Sequence, residues 1–432
     1  MKLKKGFMIL SIMVGLITLT ACSDKGNAGQ SASQTKDGKK VVTVWAWDPA
    51  YNIAALEEAK AIYEKEHDDV KIEIVDYAKA DLEQKLHTNL ASGQKEGLPD
   101  IVLMENLNAN KYLTSYPGAF APLNDSLNYD DFATPVDFMT IDKETYGLPF
   151  GSAVSGMYFR RDYFEEAGFK EEDLNDITWD EFIEIGKKVN EKTGHQILTQ
   201  DPGDGGLLRM MVQSAGSWFF DQDGNVDIKN NKVLKEVVEQ YKRLMDSGIV
   251  KVNSGWSEFV AAFNSGEVAT VPTGSWITPS IVAEESQSGK WGVAKMPRLN
   301  LKESVNATEL GGSSWFVLSA SDNQKEAISF LSKTFGGSVE LYDKLLSKHG
   351  ISSMYAPAFT SEAYTEPQDY FGGQKIYEDF SKWSEEVKGV NFGMYTWEAD
   401  AALMNELQNI LNGEDVQEGL NKVQEQVEQQ IQ

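Results

Sequence analysis

Cysteine is almost missing from this chain: Cys22 is the only one in 432 residues. It falls at the end of an N-terminal processing signal, so none remains for a disulfide, a thiolate metal site or a thiol nucleophile. Histidine is scarce too, and His67, His87, His195 and His349 are scattered without the spacing of metal ligands. There are no internal repeats, and after the first twenty or so residues no long apolar run, so the body reads as soluble. Positive charge is in short supply: 40 Lys and Arg against 66 Asp and Glu give a formal net charge of -26. Such a surface disfavours nucleic acid and anionic polymers and favours neutral or cationic ligands. Asp221 to Asp227 hints at calcium. An EF-hand loop needs glycine at position six and glutamate at position twelve, whereas here Gly224 is at four and Lys232 at twelve. The segment reads as a turn, and neither metal nor cofactor is expected.

What is present begins at the N terminus. Lys2, Lys4 and Lys5 precede a mostly apolar segment from Gly6 to Leu19, with small Ala21 before Cys22. Basic start, apolar middle and small residue make a secretory signal, too short for a comfortable permanent membrane span. Leu19-Thr20-Ala21-Cys22 resembles the lipobox of bacterial lipoproteins. That resemblance implies a signal peptide over 1–21 and lipidation of Cys22 as the first mature residue. The rest would then work at the extracellular face of the cell membrane, touching it through the lipid anchor alone. Acyl chains bury at about 0.8 kcal/mol per CH₂. Residues 22–40 are nearly devoid of apolar side chains, which predicts a flexible tether reaching roughly 20–25 Å. A polar tether of this kind is similar to those of Gram-positive lipoproteins; a Gram-negative source would place the chain in the periplasm.

About 390 residues follow, enough for two lobes with separate cores. Val41-Val42-Thr43-Val44-Trp45 is β-branched and aromatic, a buried strand. Ile53, Leu56, Ala59 and Ile62 recur at helical spacing, Val70, Ile72 and Ile74 alternate at strand period, and Leu82, Leu86 and Leu90 mark a second helix. A third strand follows over Pro99 to Met104. This β-α-β-α-β order predicts a largely parallel sheet with helices on both faces. Further on, Thr178-Trp179-Asp180-Glu181 fits a capping box, and Val233 to Met245 forms an amphipathic helix. Gly266 to Val271 reads as a strand, as does Trp315 to Leu318, with Asp322 capping the helix after it. Thr396 to Ile431 reads as two helices broken at Gly413.

Several stretches, in this order, resemble the sugar-binding subunits of ABC importers, the extracellular solute-binding family that includes maltose-binding protein. They are Trp45-Ala46-Trp47-Asp48, Leu98-Pro99-Asp100-Ile101-Val102, Tyr146-Gly147-Leu148-Pro149, Tyr158 to Gly168, Thr178 to Phe182, Phe263 to Ala269, Thr273-Gly274-Ser275-Trp276 and Gly311 to Phe316. Arg160-Arg161 departs from the family's usual Asn-Lys. The resemblance implies an α/β, two-lobed periplasmic-binding-protein-like fold. Each lobe would be a mainly parallel sheet flanked by helices, hinged with interleaved crossings near Phe150, Trp291 to Pro297 and Gly336 to Gly350. The N-terminal lobe would comprise 41–150 and 297–340, the C-terminal lobe 151–296 and 341–432. A permease is the implied partner and a monomer the implied state.

In open α/β sheets ligands lie beyond the carboxyl ends of strands. Trp47 and Asp48 end the first strand, and Glu105 and Asn106 end the third. A sugar ring offers apolar C–H faces to a flat aromatic and hydroxyls to carboxylates and amides. Trp47 is therefore a stacking candidate, with Asp48 and Glu105 as hydroxyl acceptors; core packing for Trp47 and solvated loop positions for the two acids are the alternatives. Several of the ten tryptophans follow small residues that let a backbone approach a ligand: Trp218, Trp256 and Trp276. The resemblance puts Ser275 and Trp276 at the second lobe's stacking position and Gly312, Ser313 and Trp315 on a loop at the cleft, Trp315 being equally compatible with the core. Tyr395, Trp397 and Glu398 complete the set, while Trp45, Trp179, Trp291 and Trp383 read as packing. The expected mechanism is capture of a neutral oligosaccharide between the lobes, closure, and delivery to the permease without chemistry. Arabino-, xylo- and galacto-oligosaccharides all remain open. Two rivals are a lipid-anchored glycoside hydrolase, which needs two carboxylates at fixed separation, and a non-catalytic adhesin or interaction module.

Overall fold

The computed structural model describes residues 34–35, 38–151 and 153–431. The signal segment, Cys22 and most of the tether lie outside the described residues. The tether's last residues depart from expectation. Thr35 N donates to Lys39 O (2.8 Å) and Lys39 N to Thr35 Oγ1 (3.0 Å), and Lys40 already pairs with Val70. The described end of the polar segment is thus tied back to Thr35 and joined to the first sheet.

Twelve strands are found among the described residues: β1 (Lys40–Ala46), β2 (Val70–Asp76), β3 (Ile101–Glu105), β4 (Thr140–Ile141), β5 (Glu144–Thr145), β6 (Gly147–Phe150), β7 (Ser155–Arg160), β8 (Leu198–Gln200), β9 (Val250–Val252), β10 (Thr270–Gly274), β11 (Trp291–Ala294) and β12 (Ser313–Val317). The first sheet has the order β2-β1-β3-β12-β6. Val42, Val44 and Ala46 of β1 face the helix Ala54–Glu66, which buries Ala55, Leu56, Ala59 and Tyr63; Trp45 faces the helix Lys79–Ala91, which buries Leu82 and Leu86. Burial on both faces explains why β1 is an unbroken apolar run, while edge strand β2 still alternates. The second sheet has the order β10-β7-β11, beside the parallel pair β8-β9.

Strand direction corrects the expectation of mainly parallel sheets. β1 runs parallel to β2 and β3, but β12 is antiparallel to both β3 and β6, and β7 is antiparallel to β10 and β11. The crossings account for the β12·β6 and β7·β11 pairs. β6 leads the chain out of the first sheet and β12 brings it back; β7 enters the second sheet and β11 leaves it. An outgoing and an incoming strand placed side by side must oppose each other. Trp291 to Ala294 is accordingly a strand of the second sheet and not part of a crossing; the return runs over residues 295–312. The two crossing segments lie together, with Ser155 N donating to Thr308 O (2.8 Å), Leu310 N to Ala153 O (2.8 Å), and an antiparallel bridge between Val154 and Glu309.

Helix Val339–His349 packs on the first-sheet helix Ala54–Glu66, burying Leu341, Tyr342, Leu345 and Leu346. Lys348 reaches Glu58 across the same seam at 2.9 Å. A lobe boundary at 340/341 would fall inside this helix and split it from its packing partner. In the second lobe Thr178 Oγ1 accepts from Glu181 N (3.2 Å) while Glu181 Oε2 accepts from Thr178 N (2.7 Å), closing the capping box of the helix Trp179–Thr193. Asp322 does not cap the next helix as expected. Asn323 holds that position, and its amide donates to Val41 O (2.9 Å), tying the helix to β1. The strand expected over Gly266 to Val271 starts later, at Thr270, because Gly266 (φ 77°) ends the preceding helix. Helices Thr396–Leu411 and Val416–Gln430 close the chain around Gly413.

Candidate functional site

One edge of the first sheet collects the expected first-lobe residues. Trp47 and Asp48 follow β1, Glu105 ends β3, and Ser313, the first residue of β12, pairs with Glu105 on one side and Phe150 on the other. Asp48 holds φ 65°, a conformation unusual outside glycine. Its Oδ1 accepts from Ala50 N (3.1 Å) and its carbonyl from Ile53 N (3.1 Å), so a tight turn maintains the strained backbone and leaves the residue exposed. Trp47 is half-buried between two packed clusters. Asn106 is buried and positions the loop: its N–H donates to Gly312 O (3.1 Å) and its Oδ1 accepts from Ser314 Oγ (2.8 Å). Gly312 (φ 91°) could not carry a side chain, since a Cβ there would lie 2.7 Å from Asn106 Nδ2.

The second lobe supplies the aromatic wall. Trp276 Nε1 donates to Leu310 O (2.8 Å), which fastens the indole to the returning crossing. Its ring lies 5.9 Å from that of Trp256, tilted by 38°, and Trp256 rests in turn on Phe259 at 5.6 Å. At 55% exposure Trp256 is a conspicuous apolar group for a soluble surface. Ser275 is buried, and its N–H donates to Val154 O (2.8 Å); it positions the wall and offers no face to a ligand.

Charged pairs join the two halves of the site. Lys79 of the first lobe binds Glu105 at 2.5 Å and lies 5.7 Å from the Trp397 ring of the second; Lys111 binds Glu398 at 2.5 Å and lies 5.8 Å from the Tyr395 ring. On the other side of Trp397 the Arg209 guanidinium stands 5.1 Å from the ring and binds Asp400 at 2.6 Å. Burial pushes the Asp400 carboxyl up from its ordinary value, and Arg209 partly offsets this. The second oxygens of Glu105 and Glu398 are buried and accept no hydrogen bond from the protein's described groups. A buried acceptor without a donor costs about 1–3 kcal/mol, which a ligand hydroxyl would relieve.

Glu309 is a further carboxyl that the sequence did not single out. It sits on the returning crossing, one residue before Leu310. Its N–H donates to Gln213 Oε1 (2.9 Å) and its Oε1 accepts from Gln213 Nε2 (3.2 Å). Burial pushes its pKa up to about 7, against which the Gln213 bond works.

The structure thus gathers Glu105, Trp397 and Glu398 around Lys79 and Lys111, and Trp256, Trp276, Gly312 and Ser313 around the returning crossing. It removes three expected site residues: buried Ser275, already described, and two tryptophans. Trp218 is buried, with its Nε1 donating to Thr396 Oγ1 (2.9 Å) and its ring against Phe392. Trp315 is fully buried and stacks on Phe335 at 5.5 Å, since β12 turns it toward the core face opposite Phe316. The residues missed were Lys79, Lys111, Arg209, Asp400 and Glu309. Arg209 alone left a trace in the sequence, as one cation inside Leu207-Leu208-Arg209-Met210-Met211. In the loop Asp221 to Asp227, Asp221 Oδ1 accepts from Asp223 N and Asn225 N (both 2.9 Å), so that carboxylate organises a turn.

Comparison with known proteins places this arrangement. The family model for bacterial extracellular solute-binding proteins matches residues 58–368. A lactose-binding protein of Rhizobium radiobacter is 44% identical over 392 residues, covering 90% of this chain and 93% of its own. An arabinooligosaccharide-binding protein of Halalkalibacterium halodurans is 25% identical, covering 92% and 91%. Among solved structures, the galacto-N-biose/lacto-N-biose I-binding protein of a Bifidobacterium longum ABC transporter shares the fold, with a TM-score of 0.74 at 21% identity, covering 92% of this chain and 98% of that one. All three are named as binding proteins. With the family model matching residues 58–368 and a 44%-identical relative spanning 90% of it, the chain belongs to the bacterial extracellular solute-binding proteins.

Proposed function

We propose that this chain is the sugar-binding component of an ABC importer, taking a neutral oligosaccharide between its lobes and passing it unaltered to the membrane permease. The observation that carries this reading is the pairing of an indole wall, exposed Trp256 and half-buried Trp276, with buried carboxylate oxygens from opposite lobes, Glu105 and Glu398, that have no donor among the described residues. Flat rings suit C–H faces and free acceptors suit hydroxyls. Neutrality follows from the cations: Lys79, Lys111 and Arg209 are each already held by a carboxylate, leaving little to attract an anionic sugar. A ligand touching both lobes gains its full contacts only in the closed form, so binding favours closure. The lactose- and arabinooligosaccharide-binding relatives support a saccharide, and we rank galactosides first because the relative at 44% identity is named for lactose. The test is titration calorimetry of lactose, arabino-oligosaccharides and xylo-oligosaccharides, with the saccharide recovered afterwards by chromatography. Saturable one-to-one heat with intact sugar is expected. Product in molar excess over protein would replace binding with hydrolysis, and silence across all three classes would end the saccharide reading.

Anchoring belongs to the same proposal. Lipidated Cys22 would tether the folded body to the outer membrane face. Cells fed labelled palmitate should incorporate it into the wild-type chain, whereas Cys22→Ala should stay unlabelled and be shed into the medium. Label retained by the variant would place the anchor elsewhere.

A further inference from the structure

Trp397 faces more than the interlobe cleft. A groove of about 660 Å³ opens beside it in the second lobe, within the range of ~300–1,000 Å³ usual for small-molecule sites. One wall is the helix Thr396–Leu411, on which Trp397, Ala401, Asn405 and Gln408 form a stripe at helical spacing. From Trp397 to Gln408 this stripe runs about 16 Å at 1.5 Å per residue. The opposite wall stands at the carboxyl ends of the parallel strands β8 and β9, where Asp201 and Asn253 emerge. Both are rigidly held. Asp201 accepts from Gly203 N (2.8 Å) and Gly255 N (2.7 Å), clamping two loops together, and Asn253 Oδ1 accepts from Thr199 Oγ1 (2.8 Å) while its Nδ2 donates to Gly255 O (3.2 Å).

We infer that this groove receives the sugar rings of a longer oligosaccharide that protrude past Trp397, so that the chain selects its ligand by length as well as by identity. The inference rests on the saccharide reading above. Trp397 is the shared element, with its indole between the cleft lysine Lys79 and the groove. Beyond it, small Ala401 leaves room for a ring, and the exposed amides of Asn405 and Gln408 suit the alternating donors and acceptors of a glycan edge. The walls are polar yet carry few unpaired charges, which fits a neutral chain better than a peptide terminus or a phosphate.

The test is calorimetry on the full chain with lactose and with galactosyl-extended lactose as tri- and tetrasaccharide. Wild type should bind the tetrasaccharide at least roughly tenfold more tightly than lactose. Ala401→Trp fills the groove at an exposed helical position. It should erase that gain and leave lactose affinity within about twofold. The Asn405→Ala, Gln408→Ala double variant, also at exposed positions, should reduce the gain without filling space. Equal wild-type affinity at all lengths, or a loss in Ala401→Trp that falls equally on lactose, overturns the groove while leaving the cleft intact. Absence of binding to every saccharide overturns both readings together.

Discussion

Trp276→Ala should lower saccharide affinity roughly a hundredfold, about 2.7 kcal/mol, with the lobes still folded. Two contributions, together about 2–4.5 kcal/mol, bracket that figure. Covering an indole removes apolar surface from water for about 1.5–3 kcal/mol, and a stacked aromatic contact adds about 0.5–1.5 kcal/mol. Trp276 also has a structural duty, because its N–H bonds Leu310 O on the returning crossing. Truncation therefore lowers stability as well, and the two effects must be separated. Trp276→Phe keeps a flat face and loses the bond; it should bind within about tenfold of wild type while melting lower. Trp256→Ala, at an exposed position, should weaken binding with little change in melting. Unaltered titration heats for Trp276→Ala would take this ring out of the binding wall. If Trp276→Phe instead binds as poorly as the alanine variant, the hydrogen bond and not the ring face carries the effect.

Glu309→Gln should stabilise the protein in alkaline buffer and not in acid. The Glu309 carboxyl titrates near 7 in the folded chain because burial disfavours its charge; unfolded, it titrates near its ordinary 4.5. The folded state therefore binds the proton more tightly. Stability linked to this group is intact below about 4.5, is lost as pH climbs, and is fully lost above about 7. Part of the residue still meets solvent, so the loss is set at about 1–3 kcal/mol. Glutamine preserves the shape and never ionises, so urea midpoints of variant and wild type should agree at pH 4 and separate at pH 8, the variant higher. A difference of the same size at both pH values would show that ionisation of Glu309 has no part in it.

Much of this molecule is legible in its residue pattern because the pattern records burial. Val41 to Trp45 is apolar on both faces and lies in the middle of a sheet covered on both sides; Val70 to Ile74 alternates and lies at the edge. The capping box at Thr178 is a local signal with a local outcome. The parallel run of β1, β2 and β3 was legible, but the antiparallel direction of β6, β7, β10, β11 and β12 was not. The site divides the same way. Placing Trp47, Asp48, Glu105 and Asn106 on one edge needs only the positions where strands end. Separating wall tryptophans from core ones needs more: Gly216-Ser217-Trp218 and Gly274-Ser275-Trp276 look alike in sequence, yet the first indole bonds inside the second lobe and the second fastens to the crossing. Lys111 and Glu398 are 287 residues apart in the chain, and no local pattern marks either as the other's partner.

The two crossing segments bear on how this scaffold can be re-engineered. Residues 153–155 and 308–310 are stitched to each other as a narrow antiparallel ribbon. Adding one residue to a single strand of such a ribbon slips its register and turns alternate side chains to the opposite face. That slip would cant one lobe against the other and swing Trp276 with it, because Leu310 holds the indole. Matched additions to both strands would lengthen the ribbon without canting it. Resetting the angle between the lobes, and hence the resting width of the mouth, therefore calls for an odd change in one strand alone.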